Sequence, residues 1–261
     1  VKDVAQSQKH PPAILMRQVA VSAMRDQSTI VAEEIDWEVA IGDYWVVAGL
    51  QGSGKTDFLM LAAGLMPPAH GTYHFLGEQM PIFDETRLQH RLRLGLGFEN
   101  GQLFNHLTVF ENIALPLRYH RNLAAVEAKA EVQRILESLE LGPLADSTPG
   151  ALSRNWQKRV GLARALALKP EVLLIDNPLA GLDLRHSQWW LRFLDGLSKG
   201  HDLTEGRPTT LVVTSAELQP WKGRARQFAI LKDRTLTIFG AWTQLEAANE
   251  ELLHEILTPM D

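Results

Sequence analysis

The run Gly49-Leu50-Gln51-Gly52-Ser53-Gly54-Lys55-Thr56 has the residue types and spacing of a phosphate cradle, G-x-x-x-x-G-K-[ST]. Glycines let consecutive backbone N–H groups turn toward phosphate oxygens, and a helix opening behind them adds partial positive charge. Lys55 brings a full charge to the β- and γ-phosphates, and the Thr56 hydroxyl is a ligand for Mg²⁺. Gly49, Gly52, Ser53, Gly54 and Asp57 complete the expected nucleotide contacts. The second half of such a site is a carboxylate at the end of a buried strand, holding the metal through water. Asp176 closes the apolar run VLLID and fits that role. Kinases, GTPases and many ATPases all share these two pieces.

The cradle requires a strand before it and a helix after it. Apolar YWVVA at 44–48 supplies the strand, and a helix is expected over about 55–65, before Pro67-Pro68. Short strands are expected within 14–45, where Val19/Val21 and Ile35/Trp37/Val39 alternate, and further strands at 72–77, 94–98, 172–176, 210–214, 228–231 and 235–239. A charged helix is expected over 84–92, and others over 123–139, 155–168, 185–197 and 242–257. Strands alternating with helices imply an α/β fold with a mainly parallel sheet, and the helix-rich stretch from 100 to 149 reads as an insertion between strands. Trp189-Trp190 cannot share one helix face, so one is expected in the core, leaving the other for the core or a partner surface. The apolar stripe Leu245, Leu252, Leu253, Ile256 and Leu257 is expected to pack locally or on a partner.

The chain has 261 residues, 26 basic and 31 acidic, with a net charge of −5 and no cysteine. Disulfides, thiolate metal sites and cysteine nucleophiles are thereby excluded. The acidic balance disfavours a nucleic-acid partner. No stretch is apolar enough for a membrane span, and residues 1–12 are too polar for a signal peptide.

The segment LSRNWQKRVGLARALALKPEVLLIDNPLAGLD at 152–183 resembles the signature-to-D-loop stretch of the ATP-binding-cassette (ABC) family. GQLFNHLTVFENIALPLRYH at 101–120 resembles the stretch after that family's Q-loop, and TLVVTSAE at 210–217 the strand before its switch histidine. The resemblance covers about 14–239. It implies a P-loop NTPase with an N-terminal antiparallel β subdomain, binding ATP and Mg²⁺. The expected division is a tail at 1–12, an ATP-binding domain at 13–240 with a helical subdomain near 100–160, and a C-terminal helix at 241–261. Within the family, NGQLF followed by VFENIALPLR looks most like the ATPases of Mce/Mla-type lipid transport systems. That implies integral-membrane permease subunits, a second ABC chain, a periplasmic Mce-type lipid-binding subunit reached through the permease, and a place on the cytoplasmic face of a bacterial inner membrane.

Position by position, the resemblance keeps the phosphate-binding parts and loses parts that drive hydrolysis. Where the family places a Glu after the metal-binding Asp, this chain has Asn177, an amide that accepts no proton. The switch-histidine position is Ala216, and the Q-loop Gln position is Glu99, which retains the capacity to ligate Mg²⁺ but would repel a γ-phosphate. The signature LSGGQ reads LSRNW: Ser153 survives, Arg154 and Asn155 replace the glycines, and Asp183 closes the D-loop. Met24 stands where the family often stacks adenine on an aromatic ring. These losses together imply an ATP-binding subunit with weak or absent hydrolysis. The alternatives are an active ATPase compensated by its partner chain, and a soluble member acting in DNA repair or translation.

Overall fold

The computed structural model describes residues 11–80 and 84–248. Two sheets form the frame. One is antiparallel, in the order β2 (Asp26–Val39), β1 (Ile14–Ala23), β4 (His70–Phe75), β5 (Glu78–Gln79). The other has six strands in the order β10 (Thr235–Gly240), β9 (Gln227–Lys232), β3 (Tyr44–Ala48), β8 (Thr210–Ser215), β7 (Val172–Ile175), β6 (Leu94–Gly97). All of its pairings are parallel except that of β10 with β9.

The central strands β3, β8 and β7 of this second sheet are buried on both faces, which is why they read as largely apolar runs. Their period of two divides two cores. Tyr44, Val46 and Ala48 of β3 join Leu173, Ile175, Leu211 and Val213 in the core beneath the helices α3 (Val109–His120), α4 (Ala125–Ser138), α5 (Arg154–Leu166) and α6 (Leu184–Lys199). Trp45 and Val47 turn the other way, with Val172, Leu174 and Val212, into the core around α1 (Lys55–Ala62) and the antiparallel sheet. Trp37 is fully buried there, its ring 5.6 Å from Trp45 and 5.1 Å from Phe58. The helices α3, α4 and α5 stand between β6 and β7 in the chain, as the helix-rich stretch implied.

Several elements differ from the sequence reading. The short strands expected within 14–45 include one long hairpin of β1 and β2. Register shifts between Met16 and Ala23 break its alternation, and Gln18 and Glu34 take positive φ angles of 50° and 52°. Helix α1 stops at Ala62 because Gly64 turns left-handed at φ 67°, closing the end with Gly64 N–H to Leu61 O and Leu65 N–H to Met60 O. The expected helix at 84–92 divides into a 3₁₀ turn over Glu85–Arg87, capped by Asp84, and the four-residue α2 (Leu88–Arg91). The last helix among the described residues, α7, covers Trp242–Ala247, with Leu245 fully buried. Leu252, Leu253, Ile256 and Leu257 lie outside the described residues.

Trp190 is buried, and Trp189 is half-buried under the Arg159 guanidinium, 3.6 Å above its ring. Phe193 stacks on Trp189 at 4.9 Å and 11°. The tryptophan pair therefore supplies one core residue and one aromatic shelf for a buried arginine.

The start of α3 is fixed by a reciprocal cap. Glu111 N–H donates to Thr108 Oγ1 at 3.1 Å, and Thr108 N–H donates to Glu111 Oε2 at 2.7 Å. One turn later, the buried Asn112 amide donates to the carbonyls of Phe104, Leu107 and Thr108. Thr108→Ala is expected to cost about 1 kcal/mol, lowering the melting temperature by roughly 2–4 °C in thermal denaturation followed by circular dichroism.

Candidate functional site: the cleft at the carboxyl ends of the central strands

Strand β3 ends at Ala48, and the chain wraps through 49–54 into α1. Gly52 and Gly54 take φ angles of 81° and 91°, a left-handed backbone that glycine adopts without strain. A side chain at Gly49 would also meet the Leu231 carbonyl oxygen at 2.5 Å. The loop geometry thus depends on the glycines the motif supplies. Lys55 folds back over it. Its Nζ donates to Gly49 O at 2.7 Å and Leu50 O at 2.8 Å, with Ser53 Oγ at 3.4 Å. Burial pushes the Lys55 ammonium below the usual lysine range, while the carboxylates of Asp176 and Glu99 push it back up.

Thr56 Oγ1 donates to Asp176 Oδ2 at 2.9 Å, and Thr214 Oγ1 donates to Asp176 Oδ1 at 2.6 Å. Three neighbouring stretches of the chain, the start of α1 and the ends of β7 and β8, converge on one carboxylate. A hydroxyl beside a carboxylate is the hard-oxygen set that suits Mg²⁺ shared with nucleotide phosphates. Among the described residues no group of three or more His, Asp or Glu side chains could hold a metal by itself. The Thr56–Asp176 pair therefore fits an ion that brings phosphate oxygens and waters as its remaining ligands.

Asn177 follows Asp176. Its backbone N–H donates to Thr214 Oγ1 at 3.0 Å, and its side-chain Nδ2 lies 3.4 Å from Glu99 Oε2. Lys55, Thr56, Asp57, Glu99, Asp176, Asn177 and Ala216 line one cleft of about 390 Å³, and Gly52 and Gly54 form part of its wall. The remaining sequence candidates lie elsewhere. Met24, 49% exposed, is tied to the cleft only through its backbone N–H, which donates to Asp57 Oδ1 at 2.8 Å. Ser153 precedes α5, and Arg154 and Asn155 form its first turn. Asn155 is buried, and among the described residues neither amide atom has a hydrogen-bond partner. Asp183 caps α6 through the His186 backbone N–H at 2.9 Å.

Two residues of the site escaped the sequence reading. Thr214 was inside a recognised strand but had no motif to mark it. Lys158, 3% exposed, sends its ammonium to the carbonyls of Asn177, Pro178 and Ala180 at 3.1, 3.2 and 2.8 Å. Lys158 lies in the polar first half of α5, between Gln157 and Arg159, where nothing in the sequence marked it as buried.

The ABC transporter family profile matches residues 32–180. The sulfate/thiosulfate import ATP-binding protein CysA of Escherichia coli (strain K12) is 40% identical over 175 residues, 64% of this chain and 46% of CysA. This chain therefore spans about half the length of that relative. The intermembrane phospholipid transport system ATP-binding protein MlaF of the same strain is 30% identical over 228 residues, 87% of this chain and 82% of MlaF. Among solved structures, MJ0796, a bacterial ABC transporter cassette in dimeric form, superposes with a TM-score of 0.74 at 25% identity, covering 85% of this chain and 96% of that one. The cbiO1 protein of Clostridium perfringens shares the fold, with a TM-score of 0.76 at 19% identity over 92% of both chains. With the profile spanning more than half of the sequence and MlaF aligned over most of both lengths, the chain belongs to the ABC transporter family.

Proposed function

We propose that this protein is the ATP-binding subunit of a membrane transporter, that its cargo is a lipid, and that its own site hydrolyses ATP slowly. The observation that carries nucleotide binding is the convergence of Lys55, Thr56 and Asp176 on one cleft, with Thr56 and Asp176 2.9 Å apart. Slow hydrolysis rests on the chemistry of two side chains there. The Asn177 amide cannot accept a proton from water, and the Ala216 methyl can neither donate to nor accept from a phosphate. Losing a positioned general base costs about 10²–10⁴-fold in rate. In this reading Ser153, Arg154, Asn155 and Asp183, which lie away from the cleft, serve the site of a second ABC chain across a dimer interface. The chain divides into an ATP-binding domain at 13–240, with a helical subdomain near 100–160, and a C-terminal helix from 241.

The lipid assignment follows coverage. The likeness to MlaF runs through 82% of that protein, whereas the higher identity to CysA covers 46% of it. No helix among the described residues is long and apolar enough to cross a membrane, and the likeness to ABC transporter ATP-binding proteins supports integral-membrane permease subunits as partners. The proposed place is the cytoplasmic face of a bacterial inner membrane, with a periplasmic Mce-type lipid-binding subunit reached through the permease.

Purification from native membranes in mild detergent, with mass spectrometry of what accompanies the chain, tests the assembly. A permease is expected, with phospholipid retained in the complex. Recovery of the chain without any membrane protein would overturn the transporter assignment. A permease complex whose cargo is sulfate would overturn the lipid assignment. Rapid turnover by the purified chain, lost in Lys55→Ala, would remove the claim of slow hydrolysis.

A further inference from the structure

A smaller cleft of about 210 Å³ lies between α5 and α6 and shares no residue with the one at the strand ends. Charge of one sign gathers around it. The guanidiniums of Arg159, Arg185 and Arg192 line it against the single carboxylate of Glu140. The chain as a whole carries a net charge of −5, so this local excess is opposite in sign to that of the molecule.

Arg159 is built into the wall. It is 3% exposed, and its Cζ lies 4.6 Å from the centre of the Trp156 ring and 3.6 Å from that of Trp189. Its Nη1 donates to Glu140 Oε2 at 2.9 Å and to Leu139 O at 3.4 Å. Its Nε is buried without a hydrogen-bond partner among the described residues. A buried charge with an orphaned N–H is costly until an acceptor answers it. Glu140 answers it in part, but the Glu140 side chain is 62% exposed and water weakens the pairing. Burial pushes the Arg159 guanidinium below the usual arginine range. Glu140 opposes that, and the Arg185 charge adds to it.

Helix α6 supplies the facing wall. Arg185, Trp189 and Arg192 follow at intervals of four and three residues and so share one face. Both arginines are exposed, and neither has an ion-pair partner among the described residues. His186 also lines the cleft, with its Nδ1 2.7 Å from Asp183 Oδ2. Two of the three guanidinium charges are therefore left without a carboxylate. The forked guanidinium matches phosphate oxygens two at a time. A carboxylate carries one charge and two oxygens in a plane, whereas a phosphate group carries close to two charges and spreads three or more oxygens around its centre. The excess of charge and its arrival from two helices suit the phosphate group better.

We propose that this cleft binds a phosphate group, with Arg159 as its buried anchor and Arg185 and Arg192 of α6 supplying the remaining charge. The bound group bridges α5, which starts after Ser153, to α6, which starts after Asp183. The site stands whether or not the cleft at the strand ends holds a nucleotide.

The test titrates the full-length chain carrying Lys55→Ala with inorganic phosphate, at ionic strength held constant with sodium chloride. The Lys55 substitution keeps the cleft at the strand ends from dominating the signal. Tryptophan fluorescence reads binding, because Trp156 and Trp189 flank Arg159. A saturable change in the millimolar range is expected. Adding Arg185→Gln and Arg192→Gln is expected to weaken it about tenfold, while the melting temperature without phosphate stays near that of Lys55→Ala. No saturable change in Lys55→Ala would overturn the proposal, and a response confined to the chain with Lys55 intact would assign the phosphate to the other cleft. An affinity unchanged by the two arginine substitutions would overturn it as well. Sedimentation with phosphatidylcholine vesicles, with and without phosphatidic acid, separates the sources. Binding that requires phosphatidic acid and both arginines, and that inorganic phosphate displaces, assigns the site to a lipid headgroup. A response to inorganic phosphate without vesicle binding assigns it to the free ion.

Discussion

Lys55→Ala is expected to weaken Mg-ATP binding by roughly a hundredfold, because one charge-assisted hydrogen-bonded group is worth about 1.5–3 kcal/mol. Lys55 is 9% exposed and its ammonium is already directed at the loop, donating to Gly49 O and Leu50 O at 2.7 and 2.8 Å. Phosphate oxygens carry more negative charge than these carbonyls and offer it stronger acceptors. The alanine variant removes that charge without changing Gly52 and Gly54, whose positive φ angles shape the loop. Binding of a fluorescent ATP analogue, with and without Mg²⁺, measures the loss. Thermal denaturation without nucleotide checks that the fold survives. The second readout separates loss of a phosphate ligand from collapse of the loop. A variant that melts near the wild-type temperature, and whose melting no longer rises with Mg-ATP, has lost binding alone.

How much of this was visible in the sequence depends on the distance between interacting residues. The cradle is contiguous, so its glycines, Lys55 and Thr56 declared themselves together, and both flanking elements formed where the motif required them. Buried parallel strands such as Tyr44–Ala48 were equally plain as apolar runs. The hairpin of β1 and β2 was harder because its bulges and the positive φ of Gln18 and Glu34 break the period of two. Contacts across the sheet left no pattern at all. Thr214 meets Asp176 from 38 residues away, and Asn177 meets Glu99 from 78. The sequence identified Asn177 and Glu99 as separate departures from a family pattern. Their proximity is visible only in three dimensions.

Lys158 lies at that same distance from sequence reasoning, and its substitution carries the largest expected effect on stability. The side chain is buried and its ammonium is shared among the carbonyls of Asn177, Pro178 and Ala180. These carbonyls belong to the segment joining the metal-fitting Asp176 to Asp183, the cap of α6. One lysine from α5 thus fastens the loop that leads from the cleft to the next helix. In Lys158→Ala the three carbonyls lose their charged donor, at a cost of about 2–4 kcal/mol, or roughly 5–15 °C in melting temperature for a chain of this size. Lys158→Gln keeps two N–H donors and is expected to lose about half as much. Thermal denaturation of the three proteins gives the ordering. Hydrogen exchange over 177–183 gives its location, with protection falling most in the alanine variant. The pH dependence supplies an independent sign. Burial pushes the Lys158 ammonium below the usual lysine range, and Glu99 and Asp176 oppose that only in part. Between the folded and unfolded pKa values the unfolded chain binds more protons, so this residue makes stability rise with pH through that alkaline window. Lys158→Gln should flatten the slope there relative to wild type. An unchanged melting temperature in Lys158→Ala would show that the ammonium does not hold the loop.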